Sequence, residues 1–236
     1  MLVGLKAANG MIAPDSSIWE VHWNGRQKQY AYTSLAAANG LCQASQIATA
    51  RQDALDATAW SGAAAAIVAA VRAHAVDGSH FLAQSVEELA GNSGYVDAAV
   101  VEAFNWNLLD PAGDIAKATL DRLSSDLAVP NGMGLSRNDD GGWYDRSEWV
   151  LIDLRTADAL RRSGDAASVA TANRRLDWIT AQGLANLGLI AELHDRDAAD
   201  YAGAVPMVGF GAGAYVLERW LKAEPTTPQA SCGIAW

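Results

Sequence analysis

Apolar residues return at helical spacing along most of this chain, and the interruptions divide it into helices joined by short turns. From Ser34 to about Ala50 the run Leu35, Ala38, Leu41, Cys42, Ile47 predicts a first helix. Alanine-rich Asp53 to Val76 predicts a second, with Asp53 as its cap and Ile67, Val68, Val71 and Val76 on the buried stripe. A polar stretch broken by Gly78, Gly91 and Gly94 reads as a loop, followed by a third helix from Val96 to Leu109. Asp110-Pro111 closes that helix and opens a fourth over Gly113 to Leu127, because proline suits a first helical turn and restricts the residue before it. After a long loop from Val129 to Glu148, a fifth helix runs from Trp149 to Arg162. Ser163-Gly164-Asp165 supplies a stop and a cap for a sixth, Ala166 to about Asn186. Leu187 to Asp195 is a short apolar segment ending in acids, and Pro206 and Met207 open a last helix that ends near Lys222. The pattern is all-α, about seven helices, with short connections that pair successive helices as antiparallel hairpins.

Composition narrows the reading. The 236 residues, half of them apolar, suffice for one core spanning residues 1–223, with 224–236 as a Pro- and Thr-containing tail. A formal charge of -10 with no cluster of Lys and Arg excludes a nucleic-acid surface. No uninterrupted apolar run reads as long enough to span a bilayer, and Met1 to Gly10 is too short and too broken for a signal peptide, so no membrane partner is expected. Cys42 lies in an apolar helical run, as a buried thiol would, and Cys232 in the tail; sequence leaves open whether they pair. Neither they nor His80 has zinc-ligand spacing, so no metal or other cofactor is expected. Nine Trp against three Phe favour surfaces that meet polar ligands, although Trp60, Trp106 and Trp178 fall within helical periodicity and should pack.

Two segments carry candidate chemistry. Between Asp15 and Ser34, Glu20 sits between Trp19 and the run Val21, His22, Trp23, with Arg26, Tyr30 and Tyr32 following. Aromatics around one acid suit a cleft for a flat, hydroxylated ligand, and a carboxyl beside indole is poorly solvated, which favours a proton donor near neutral pH. The same residues also suit a hydrophobic staple at a helix start, with Glu20 a solvated surface acid. The loop from Val129 to Glu148 holds Arg137 and two aromatics, Trp143 and Tyr144, and loops of that length inside a compact domain are usually functional. Arg137 could bind hydroxyls or pair with Asp139 or Asp140 to stiffen the loop.

These segments resemble family 15 glycoside hydrolases, the glucoamylase and glucodextranase group. Asp15, Ser17, Ile18, Trp19 and Glu20 fit the D-x-S-I-W-E run, followed by Tyr32, Thr33 and Ser34 at the helix start. The run G-Y-V-D-A-A-V around Asp97 is similar to the start of an inner helix. Arg137 and Trp149 take the arginine and tryptophan positions of R-Y-x-x-D-x-Y and N-P-W at the family's interval, while Glu192 takes the L-x-x-E position. Departures are Val21, where many fungal members carry a second acid; the absence of Tyr after Arg137; Ser147-Glu148 for Asn-Pro; and Gly209 and Phe210 near an expected Trp-Ser.

The resemblance implies the later half of an α/α toroid, with the first half of the domain missing and an α-glucan oligosaccharide or polysaccharide as partner. It implies inverting hydrolysis that releases glucose from non-reducing ends, with Glu20 as general acid and Glu192 as general base. Their carboxyls should then lie roughly 6.5 to 9.5 Å apart. Trp19, Arg137, Trp149 and Tyr32 would hold the sugar, and His194 would orient the Glu192 loop or face solvent. Two other classes fit the pattern: a noncatalytic carbohydrate-binding or regulatory helical module, and a polysaccharide lyase-type toroid, which the net acidity disfavours.

Overall fold

In a computed structural model, which describes residues 2–20, 27–92, 96–130, 133–139, 142–198, 201–202, 209–234 and 236, the first and the later of the predicted helical hairpins form. Helices α1 (Ala31–Ala50) and α2 (Ala54–His74) pack against one another along a seam rich in alanine, with Ala38, Ala64 and Ala70 buried beside Leu35, Ile67 and Val71. Asp53 caps α2 by accepting a bond from the Asp56 N–H at 3.1 Å. Small side chains allow the close approach, and the N-terminal loop uses it too: a Cβ on Gly10, whose φ is +88°, would meet Ala70 Cβ at 3.1 Å. Alanine also makes α2 long and apolar enough by composition to cross a membrane, contrary to the reading of the bare sequence, although its apolar stripe here faces α1.

The polar stretch after α2 contains a further short helix, α3 (Val86–Gly91), started by Ser85, which accepts the Glu88 N–H at 3.1 Å. The predicted third helix shrinks to a 3-10 turn, Ala98–Val101, and the single turn α4 (Glu102–Asn105). Asp97 sets a later start as a cap, accepting the Ala99 N–H at 2.8 Å, and the Ala98 N–H, which has no partner within a helix at that position, is taken by Arg137 O at 2.9 Å. At the other end Asn107 adopts φ +53° and stops the turn.

Helix α5 (Asp114–Asp126) follows the predicted fourth helix, and the long loop after it includes the one-turn α6 (Trp143–Arg146). Helix α7 (Val150–Ser163) is the hub of the later half, packing on α4, on α8 (Ala166–Ala185) and on α9 (Gly209–Ala223). Gly164 at φ +77° ends α7, and Asp165 starts α8 with bonds from Ser168 and Ala167 that pull its carboxylate down to about 2. Val150, Leu154, Leu176, Ile179 and Ala214 bury the seam between these three helices. The expected opening of the last helix at Pro206 and Met207 lies outside the described residues.

One feature has no forerunner in the sequence, and one settles what the sequence left open. A small antiparallel sheet joins β1 (Glu148–Trp149), β2 (Leu193–His194) and β3 (Tyr201–Ala202), with Glu148 opposite His194 and Trp149 opposite Leu193. Cys42 and Cys232 form a disulfide, their Cα atoms 5.6 Å apart across 190 residues, so Cys42 is not a free thiol. It fastens the terminal segment to α1, where Ile234 is buried and Ser231 Oγ donates to Trp106 O at 2.6 Å.

Candidate active site

The turn over Ser17 to Glu20 is fixed by Asp15. One oxygen of its carboxylate accepts the Ser17 N–H at 2.6 Å and the Thr33 hydroxyl at 3.0 Å, tying the turn to the first residues of α1. Ser17 and Glu20 take φ of +61° and +55°, an uncommon state for side-chain-bearing residues that is held only where surrounding contacts determine it. The turn projects Trp19 inward, where its indole N–H donates to Asp97 Oδ1 at 2.8 Å. Asp97 is fully buried; burial pushes its carboxyl up, against the opposing effect of the bonds from Trp19, Ala99 and Gln84. The resemblance that led to Asp97 therefore marks an anchor for Trp19 as well as a helix start.

Arg137 fills the space next to Trp19. Its guanidinium carbon lies 4.8 Å from the Trp19 ring centre, 4.5 Å from Trp149 and 5.3 Å from Tyr144, so three aromatic faces surround one cation. It forms an ion pair with Asp145 in α6, not with Asp139, whose carboxylate accepts the Val96 N–H at 3.1 Å; Asp140 lies outside the described residues. Trp19 and Trp149 are 5.6 Å apart, and Tyr144 meets Trp149 edge-on at 5.1 Å. Trp149 is itself fixed, because its indole N–H donates to Tyr144 O at 2.9 Å.

Glu192 adjoins this aromatic box. Its backbone carbonyl accepts the Val150 N–H at 3.2 Å, continuing the β1–β2 ladder, and its side chain lies beside the Tyr144 phenol. Burial, and then the neighbouring Glu192, raise Tyr144 above the ordinary phenol range. At 8 % exposure Glu192 is nearly enclosed, and the Trp149 ring of the box beside it is buried as well.

The structure therefore brings together four of the six residues singled out from sequence: Trp19, Arg137, Trp149 and Glu192. Glu20 follows Trp19 directly but is exposed, so the poorly solvated carboxyl expected from its aromatic neighbours is not found; residues 21–26, which carry Val21, His22 and Trp23, lie outside the described residues. Tyr32 stands apart from the box. It lies 5.9 Å from Trp106 and lines a separate cleft of about 300 Å³ with Ile18, Trp19, Glu102 and Arg155. Burial and the nearby Glu102 charge push the Tyr32 phenol up, while Glu102 and Arg155 form a bidentate pair at 2.6 and 2.7 Å. A larger hollow of about 610 Å³, between α5 and the α7–α8 turn, holds none of these residues. His194 is buried against Glu148 and does not face solvent.

Sequence reasoning placed Tyr144 in the second loop without giving it a role and missed Asp145. Both follow the exposed Trp143 in a W-Y-D run, and that aromatic density beside an acid, the same signal that marked Glu20, could have found them.

No family model and no curated protein matches this chain. Solved structures do. A wild-type glycosidase superposes with a TM-score of 0.70 at 24% identity, over 87% of this chain and 54% of its own. A bacterial glucoamylase complexed with acarbose gives 0.68 at 16%, over 89% of this chain and 36% of its own. The glucoamylase of Saccharomycopsis fibuligera gives 0.63 at 15%, over 87% and 58%. The fold is that of the glucoamylase-type helical toroids, as part of a ring of antiparallel helix hairpins. The chain spans about half the length of the glycosidase and of the Saccharomycopsis enzyme, and about a third of the bacterial one.

Proposed function

We propose that this chain carries the sugar-binding wall and both carboxylates of an inverting glycoside hydrolase that removes glucose from the non-reducing ends of α-glucans. Trp19 contacts the sugar, buried Trp149 backs Trp19 and Arg137 from within, Arg137 donates to the sugar hydroxyls, and Glu192 accepts a proton from the attacking water. Glu20 gives its proton to the glycosidic oxygen as the bond from that oxygen to the anomeric carbon breaks. Water adds to that carbon from the opposite face, yielding β-glucose and a shortened glucan.

The observation that carries the reading is the convergence of Trp19, Arg137 and Trp149, distant in sequence, on one box that adjoins Glu192 through Tyr144. A box of this kind is polar enough to read hydroxyls and flat enough to stack a ring. The test follows maltooligosaccharide and isomaltooligosaccharide by proton NMR. β-Glucose should appear first, and Glu192→Gln should lower kcat by about 10² to 10⁴-fold. First appearance of α-glucose, or unchanged turnover in that variant, would refute the reading.

The exposure of Glu20 favours a second reading, a carbohydrate-binding module without turnover. Quenching of tryptophan fluorescence by acarbose with no glucose release would select it.

A further inference from the structure

Behind the aromatic box stands a buried polar cluster that hydrolysis does not use. Glu148 is fully buried, a costly place for a carboxylate unless donors converge on it. Donors from three elements do. Trp178 in α8 donates its indole N–H to Oε1 at 2.7 Å, and His194 Nδ1 on β2 lies 3.2 Å from the same oxygen. Asp153, one turn into α7 and fully buried, lies against the same carboxylate.

Asp153 Oδ1 accepts the Leu135 N–H at 2.8 Å, but its Oδ2 meets no N–H or hydroxyl donor among the described residues. A proton on that oxygen, donated to Glu148, satisfies both carboxyls at once. Burial and the Glu148 charge raise Asp153 well above the usual carboxylate range. Burial pushes Glu148 up as well, yet the bonds from His194, Asp153 and Trp178 bring it below that range. Arg175 of α8, also buried, balances the single negative charge that remains, and an ionised Glu148 requires His194 to carry its hydrogen on Nδ1.

The cluster reaches the box by two short routes. Through His194 it holds β2, two residues after Glu192, whose carbonyl takes the Val150 N–H at 3.2 Å. Through Asp153 it holds Leu135, two residues before Arg137, and Leu135 O accepts the Trp149 N–H at 2.8 Å. Gly134 packs directly on the Glu148 side chain, with no room for a Cβ. Glu148 is also the residue that replaces proline in the N-P-W pattern.

We infer that Glu148 is a positioning residue: acting through Asp153 and His194, it sets where the Glu192 carboxylate and the Arg137 guanidinium stand. Its importance for turnover rests on the proposed role of Glu192; its structural effect does not.

The test compares Glu148→Leu and Glu148→Gln in the full chain by amide hydrogen exchange read by NMR. The leucine variant strands the Trp178 and His194 donors, so exchange at Val150 and Leu135 should quicken about tenfold or more while Val68 and Val71 in α2 keep their protection. Glutamine keeps an oxygen for those donors and should restore most of the protection. Unchanged exchange at Val150 and Leu135, an equal loss in α2, or no recovery with glutamine would each overturn the inference. Should the leucine variant not fold, Trp178→Phe, which removes one donor, is read by the same criteria. In an active chain, kcat should fall and KM rise in the leucine variant, because Glu192 and the sugar-holding Arg137 are displaced together, and glutamine should restore both. Absence of glucose release by the wild-type chain, together with the expected exchange pattern, would remove the hydrolase reading and leave the positioning role standing.

Discussion

Breaking the Cys42–Cys232 disulfide should cost this protein more stability than losing any single core contact. The bond closes a loop of 190 residues, nearly the whole chain. The chain-entropy relation for so long a loop gives about 5 kcal/mol at 25 °C, taken from the freedom the unfolded chain regains on reduction. That figure is a ceiling, because the reduced native state can relax by releasing its terminal segment. What holds the segment otherwise is modest: buried Ile234, the Ser231 bonds to Asn107 O and Trp106 O, and the Trp236 indole bond to Asn107 O at 3.1 Å. Urea unfolding followed by tryptophan fluorescence, with and without reductant, measures the difference. With a slope of about 3 kcal/mol per M, the full effect moves the midpoint by about 1.7 M. Because Cys42 is buried, reduction should be slow in the native state and fast in urea. The Cys42→Ala/Cys232→Ala double variant should reproduce the reduced midpoint. The reasoning fails if both thiols react freely in the untreated native protein, or if the midpoints coincide once free thiols are demonstrated after reduction.

Gly134→Ala should destabilise the fold by about 1 to 3 kcal/mol, because the added carbon lands on the buried Glu148 side chain; an unchanged thermal midpoint would contradict that packing. Glu218 predicts a pH effect. It is buried on α9 with Arg161 donating to one oxygen and none of the described residues to the other, and burial raises it from 4.5 to about 7 despite Arg161. The native state thus keeps a proton that the unfolded chain gives up. This contribution is fully present below pH 4.5 and is lost as pH rises through about 7, up to roughly 3 kcal/mol in all. Subtracting the stability curve of Glu218→Gln from that of wild type should expose this fall; parallel curves would refute it.

The legible parts of the fold are those set by neighbours in sequence. Asp53 and Asp165 cap where expected and Gly164 stops α7, because each acts within a few residues of itself. The third predicted helix failed where Asp97 serves two masters, capping its own turn and anchoring Trp19. The two-residue strands are too short to show alternation, and Glu148 and His194 carry no pattern that could announce their pairing. Nor can spacing pair cysteines 190 residues apart. Within the site, Trp19 is legible because large aromatics around an acid are unusual for a loop, whereas Arg137 and Trp149 are marked by the family resemblance and its interval; Tyr32 shares the aromatic signal, yet its place on α1 turns it to the neighbouring cleft.

The residues that hold the box differ in kind from those that form it. Trp19, Arg137 and Trp149 sit on a turn, a loop and a strand, elements that would wander if only their own backbone bonds restrained them. Each is instead tied to an acid or to a backbone carbonyl: Trp19 to buried Asp97, Arg137 to half-buried Asp145, Trp149 to Tyr144 O. Glu192 depends on the sheet, and the sheet on Glu148. A buried acid is expensive to keep and severe to remove, so it fixes geometry more firmly than an exposed one. It follows that apolar substitution of Asp97 should disturb the Trp19 indole more than loss of Tyr32, although Tyr32 is the more conspicuous aromatic in the sequence. The cost of burying Asp97 and Glu148 is thus offset by the positions they impose on the side chains of the box.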